Sequence, residues 1–278
     1  MKIKLIATDM DGTFLDDNKE APEENIRALA ECAARGIEVV PATGRTILSV
    51  PEEIKNLPGV RYAITTNGAV VADLKEGTII STCKMTADLA AAVMEIARDS
   101  EDDIMYDAYI EGVGYTTDYF WEHLDYYAAS PGIAGLIRKI RRPVPDNIAY
   151  VRECGQDVEK INMFFVDMEA RKRMRERLSK IPEILVTSAI PENLEINAAG
   201  ATKGSALLRL AEYLNISREE TMAFGDGEND LSMIECAGIG VAMENGEESV
   251  KAAADHVTVT NNEAGVAVAI HRFILQDT

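Results

Sequence analysis

Short apolar runs alternate with helix-like stretches at both ends of this chain, and that alternation constrains the fold more than any other feature. Lys2–Thr8 reads as a buried strand. Glu23–Arg35 follows as a helix with Ile26, Leu29, Ala30 and Ala33 on one face, Pro22 near its start and Gly36 just past its end. Ile37–Ala42 and Arg61–Thr66 read as further strands, closing on Thr43-Gly44-Arg45 and Asn67-Gly68. From about Cys83 the pattern changes. Six of the nine tyrosines (Tyr106, Tyr109, Tyr115, Tyr119, Tyr126, Tyr127) crowd beside Phe120 and Trp121, a cluster better suited to the core of a small α+β insert than to a ligand surface. In that block Leu89–Arg98 and Glu169–Ile181 read as helices, Asn162–Asp167 and Ile184–Ser188 as strands. The alternation then resumes: strands at Leu194–Asn197, Thr221–Gly225, Gly238–Met243 and His256–Val259, helices at Lys203–Leu214, Asn229–Cys236, Glu247–Ala254 and Glu263–Leu275. Such alternation implies crossover connections and a parallel sheet. The expectation is a doubly wound, Rossmann-like α/β core built from residues 1–82 and 189–278, with an α+β domain inserted at 83–188.

Charge excludes some partners. With 28 basic against 47 acidic residues the net charge is −19, a field that repels nucleic acid and anionic membranes. Cys32, Cys83, Cys154 and Cys236 are scattered without a CxxC pair, which argues against a zinc site or a disulfide framework. His123, His256 and His271 are equally dispersed. Asp9 interrupts the first apolar run too early for a signal peptide, and no apolar stretch is long enough to span a bilayer. Cytoplasmic residence is the expectation.

In open α/β sheets, ligands gather beyond the carboxyl ends of the strands. Asp9 and Asp11 follow the first strand, spaced so that both side chains project to one side if the chain stays extended. Asp-Gly alone is ordinary turn chemistry. Thr43 and Gly44 follow the second strand, where glycine lets backbone N–H groups approach an anion, although Thr-Gly is equally an N-capped turn. Lys203 opens a helix, where the dipole disfavours a cation, and Gly204 weakens the same turn. Such a locally poor choice is expected at a functional site, and a bound anion would reverse the penalty. Gly225-Asp226-Gly227-Glu228-Asn229-Asp230 concentrates carboxylates and an amide after a strand, an oxygen-rich setting suited to Mg²⁺. Helix capping accounts for Asn229 and Asp230 but gives no reason for Asp226.

Together, Asp9-Met10-Asp11-Gly12-Thr13, Thr43-Gly44-Arg45, Lys203-Gly204 and Gly225 to Asp230 resemble the motifs of the haloacid dehalogenase (HAD) superfamily of phosphotransferases. Their order, the insert, and Val241-Ala242-Met243-Glu244-Asn245-Gly246 resemble the Cof-type hydrolases with a C2-type cap. Asn197-Ala198-Ala199-Gly200 departs from the family's usual approach to the lysine, and Glu228 adds an extra negative charge. The resemblance implies a phosphomonoesterase acting on small phosphorylated metabolites, with sugar phosphates expected. Asp9 would be the nucleophile, forming an aspartyl-phosphate, and Asp11 the general acid and base. Mg²⁺ would be held by Asp9, the Asp11 carbonyl and Asp226, with Asp230 supporting them. Thr43, Gly44, Lys203 and Asn229 would bind the phosphoryl group, and the cap would close over the site and contact the leaving group. Two alternatives share this chemistry. A phosphomutase would use the same nucleophile and acid, while a phospho-receiver switch has no use for the insert. No G-x-G-x-x-G follows the first strand, which argues against a dinucleotide-binding module. Oligomeric state leaves no trace in the sequence.

Overall fold

A computed structural model describes residues 2–127 and 131–275. Its chain forms two compact units, Met1–Thr82 with Thr202–Thr278 and Cys83–Ala201. The first unit begins with strands β1 (Leu5–Thr8), β2 (Glu38–Pro41), β3 (Tyr62–Thr65), β4 (Val70–Asp73) and β5 (Thr78–Thr82). The insert carries β6 (Ile104–Ile110), β7 (Val113–Thr117), β8 (Arg141–Val144), β9 (Lys160–Phe165), β10 (Ile184–Thr187) and β11 (Asn193–Ala198). The chain returns with β12 (Thr221–Gly225), β13 (Ile239–Ala242) and β14 (His256–Val257). No helix among the described residues is long and apolar enough to cross a membrane.

The first unit centres on a parallel sheet in the order β14-β13-β12-β1-β2. Strand β1 is buried along its whole length because helices cover both faces of the sheet, as expected of a central parallel strand. Leu5 and Ala7 pack with Val40, Ala223, Leu207 and Leu210 in one apolar layer. Ile6 lies in the opposite layer with Leu29, Val39, Phe224 and Ile270. The helix Glu23–Ala34 buries Leu29 of the face read from the sequence and packs Ile26 against the core, but its most buried residues also include Asn25, Ala28 and Cys32. Asn25 is tolerated there because its amide donates to the Phe14 carbonyl (3.0 Å) and its Oδ1 accepts from the Ala267 N–H (2.9 Å).

Strand β3 meets β2 through parallel bridges at Val39–Val60 and Ala42–Ile64. It then begins an antiparallel meander with β4 and β5 that sequence periodicity did not suggest. The turn into β4 needs three successive left-handed residues, Thr66, Asn67 and Gly68, with φ of 53°, 57° and 96°. At Gly68 this is a steric requirement, since a Cβ there would stand 2.1 Å from the Thr202 carbonyl oxygen.

The insert is built on a six-stranded sheet in the order β10-β11-β9-β6-β7-β8. The expected boundary at 188/189 is corrected to 201/202. The strand around Leu194–Asn197 is β11, hydrogen-bonded antiparallel between β10 and β9, and so belongs to the insert. Tyr106, Tyr109, Phe120 and Tyr127 are buried in this unit, whereas Tyr119 and Tyr126 are exposed. One row across its sheet is polar: Thr187, Glu195, Asn162 and Asp107 stand on neighbouring strands in direct register. Buried ion pairs Asp107–Arg141 (2.5 Å) and Glu195–Lys160 (2.6 Å) balance its charge.

Candidate active site

All the strands of the central sheet run in one direction, with Thr8 in register beside both Pro41 and Phe224. The segments following β1, β2 and β12 therefore leave the sheet at the same edge. Asp9 extends the β1–β12 pairing by donating its N–H to the Phe224 carbonyl (3.0 Å), and its side chain is buried. Asp226 leaves β12 beside it. One carboxylate oxygen from each of Asp9, Asp226 and Asp230 lies within 4.8 Å of the other two.

Local chemistry fixes each acid. Gly12 turns with φ +88°, and a Cβ there would sit 2.4 Å from Asp226 Oδ2, so only glycine lets the loop lie against that carboxylate. Thr13 then donates its hydroxyl to Asp226 Oδ1 (2.5 Å). Asp230 closes the tight turn Glu228–Asp230, its Oδ2 accepting from the N–H groups of Asp226 and Gly227 (3.0 Å each). Its Oδ1 is thereby aimed at Lys203.

Lys203 is fully buried at the first position of the helix Lys203–Tyr213, which Thr202 caps through the Ser205 N–H. Its Nζ donates to Asp9 Oδ1 and to Asp230 Oδ1, 2.6 Å each. The anion that relieves this lysine's position at a helix start is thus supplied by the protein's own carboxylates. Burial alone would push the ammonium's pKa down, but Asp230 and Asp9 outweigh it and raise it. Asp9 is raised well above the usual carboxylate range by burial, with Asp230 and Asp226 adding to the effect against the pull of Lys203. Asp226 is pushed up to about 6, mainly by burial and then by Asp230. Carboxylates crowded this way lack positive charge, and one ammonium does not supply enough. An oxygen-ligated divalent cation fits that deficit.

Asp11 stands apart from the cluster. Its side chain is held by Arg45, whose Nε donates to Oδ2 (3.0 Å) and whose NH2 donates to Oδ1 (2.9 Å), and by Lys19 Nζ at 3.1 Å from Oδ1. Burial opposes its charge, but Arg45 and Lys19 prevail and hold the carboxyl below its ordinary value. Thr43 is buried at the end of β2, its N–H donating to the Ile64 carbonyl (2.9 Å) and its Oγ1 accepting from the Arg45 N–H (3.1 Å). Gly44 lies between them in the sequence. Asn229 donates its amide to Asn67 Oδ1 (3.2 Å).

Sequence reasoning identified the acids and the lysine but gave no role to Thr13, Lys19, Arg45, Asn67 or Asn245. Arg45 and Thr13 stood inside the motifs and could have been found there. Asn245 donates to the Gly12 carbonyl (2.8 Å) from far along the chain, and nothing local announces that contact.

Residues 6–270 match the family model of the haloacid dehalogenase-like hydrolases. The 5-amino-6-(5-phospho-D-ribitylamino)uracil phosphatase YcsE of Bacillus subtilis is 33% identical, covering 98% of this chain and 96% of its own length. A solved haloacid dehalogenase-like hydrolase from B. subtilis superimposes with a TM-score of 0.83 at 31% identity, covering 98% of this chain and all of that one. The HAD subclass IIB sugar phosphatase BT4131 gives a TM-score of 0.80 at 26% identity, over 97% of this chain and 98% of its own.

Proposed function

This chain belongs to the haloacid dehalogenase-like hydrolases and is a phosphatase, and on that premise we propose that it hydrolyses small sugar-type phosphomonoesters through an aspartyl-phosphate on Asp9. The observation that carries the reading is the convergence of the Asp9, Asp226 and Asp230 carboxylates around Lys203.

A phosphate monoester is dianionic, so a carboxylate can approach it only where positive charge has been assembled. Mg²⁺ would be held by the carboxylates of Asp9 and Asp226 and the main-chain carbonyl of Asp11, with Asp230 fixing Asp226 from behind through its backbone N–H. Bound there, the ion would supply charge neutralisation for the reacting phosphoryl group. Lys203 keeps the Asp9 carboxylate oriented and contributes the second positive charge, while Thr43 and the Gly44 N–H bind phosphoryl oxygens. Asn229 joins them, its amide already oriented by Asn67.

An Asp9 carboxylate oxygen attacks phosphorus in line as the ester P–O bond breaks, and Asp11, having taken up a proton when the dianionic ester displaces its pairing with Arg45 and Lys19, passes that proton to the departing alkoxide. Asp11, now a carboxylate, then takes a proton from a water molecule whose oxygen attacks phosphorus. The bond to Asp9 breaks, and orthophosphate and the free carboxylate are regenerated. The polyol-bearing substrate named for YcsE and the sugar phosphatase activity named for BT4131 support an ester of a polyhydroxylated alcohol.

The test is phosphate release from a panel of phosphorylated sugars and polyols with added MgCl₂ or EDTA. The wild-type chain should release phosphate only with the metal, and Asp9→Asn should release none while keeping its circular dichroism. Turnover by Asp9→Asn at the wild-type rate would end the assignment.

A further inference from the structure

The turn out of β3 supplies no group to the reaction, yet it is joined to three segments that do. The Thr66 N–H donates to the Arg45 carbonyl (2.8 Å) and the Asn67 N–H to the Thr43 carbonyl (3.1 Å). Gly68 lies against the Thr202 carbonyl, just before Lys203, and its own carbonyl accepts from Arg209 NH2 (2.8 Å). Asn67 reaches the third segment through its side chain, whose partner Asn229 lies 162 residues further along the chain. A hairpin between β3 and β4 calls for left-handed residues here, and asparagine tolerates that conformation better than most. Glycine would serve as well. The hairpin therefore explains the backbone of Asn67 (φ 57°) but not a buried amide directed at the loop after β12. Thr66 is β-branched and buried, and its φ of 53° is a strained choice that these bonds hold in place.

A primary amide carries two N–H donors on its nitrogen and an acceptor oxygen opposite, so half a turn of the group exchanges attraction to an anion for repulsion. Asn229 Nδ2 donates one hydrogen to Asn67 Oδ1 (3.2 Å), and Asn229 Oδ1 lies over Gly227, where a Cβ would stand 3.2 Å from it. We propose that Asn67 is a positioning residue whose Oδ1 fixes the Asn229 amide so that its second N–H, and not its carbonyl oxygen, meets the phosphoryl group. Without Asn67 both orientations of the amide occur, and the phosphoryl group loses its donor for part of the time. The inference rests on the reading of Asn229 as a phosphate-binding residue of the phosphatase reaction.

The experiment is a double-mutant cycle on kcat/KM for p-nitrophenyl phosphate and ribitol 5-phosphate, with wild type, Asn67→Gly, Asn229→Ala and the double variant. Glycine adopts a φ of 57° freely, so Asn67→Gly keeps the backbone and its circular dichroism and loses only the amide. Each single variant should lose about tenfold, in line with one hydrogen bond to a charged group, and the double variant no more than about a factor of two beyond Asn229→Ala. The inhibition constant of orthophosphate should rise in all three variants. Damage to packing alone would multiply instead, so a double variant about a hundredfold below wild type overturns the positioning role. An undiminished rate in either single variant overturns it too, while leaving the phosphatase reading intact. A wild-type chain that cleaves neither ester overturns that reading, and this one with it.

Discussion

Replacing Lys203 with methionine should separate what the lysine contributes to the core from what a metal contributes. Methionine retains much of the apolar stem but removes the ammonium that bridges Asp9 and Asp230 at 2.6 Å each. Removing one partner of a buried ion pair costs about 3–5 kcal/mol, and here a single ammonium serves two buried acceptors. The loss should depend on pH. Asp9 and Asp226 already titrate above the range of an unfolded carboxylate, Asp226 near about 6, and losing a cation raises both further. A carboxyl group with a raised folded-state pKa favours the folded chain at low pH and surrenders that stability as pH climbs through the folded value. The deficit should therefore be small near about pH 5, where protons neutralise the cluster, and grow as pH climbs through folded values that lie above about 6. Mg²⁺ at a hundred times its dissociation constant should return about 2.7 kcal/mol. Hydrogen exchange at the amides of β1 and β12, followed by mass spectrometry with and without MgCl₂, measures the effect where it arises. Trp121, the single tryptophan, lies in the insert, so unfolding followed by its fluorescence is an internal control. If β1 and β12 in metal-free Lys203→Met are as protected as in wild type at about pH 7.5, the cluster is not balanced by this ammonium and the argument is refuted.

Gly12→Ala should lower kcat/KM on p-nitrophenyl phosphate by about a hundredfold, because the new Cβ would stand 2.4 Å from Asp226 Oδ2 and must displace it. Activity near the wild-type level would show that the loop can move away freely. Thr13→Val removes the hydroxyl that orients Asp226 and should weaken Mg²⁺ binding about tenfold in isothermal titration calorimetry, with unchanged affinity counting against Asp226 as a ligand.

What could be read from the sequence was whatever short-range pattern controls. Runs such as Leu5–Thr8 are apolar because both faces are covered, and the acids, glycines and lysine that follow such runs are locally conspicuous. What escaped depends on partners far away in the chain. Strand β11 looks like a core strand on its own, and only its pairing with β9 and β10 assigns it to the insert. The burial of Asn25 on the inward face of Glu23–Ala34 was not foreseen because the side chain is polar, and its burial depends on Phe14 and Ala267. The Asp11 contacts to Arg45 and Lys19 were missed for the same reason: each depends on how a loop folds back, and no periodicity encodes that.

The interrupted core has a consequence for how the chain assembles. The central pair β1–β12 joins residues at opposite ends of the sequence, a contact order that ordinarily makes folding slow. Closing that pair across a loose segment of roughly 120 residues carries an entropic penalty of about 4 kcal/mol in its length-dependent part. Yet the insert's own ends are neighbours once it has formed, since a Cβ on Gly200 would lie 3.2 Å from the Cys83 sulfur. An insert that folds first thus behaves as a short tether, and the two halves of the catalytic unit can find each other as though they had been synthesised side by side.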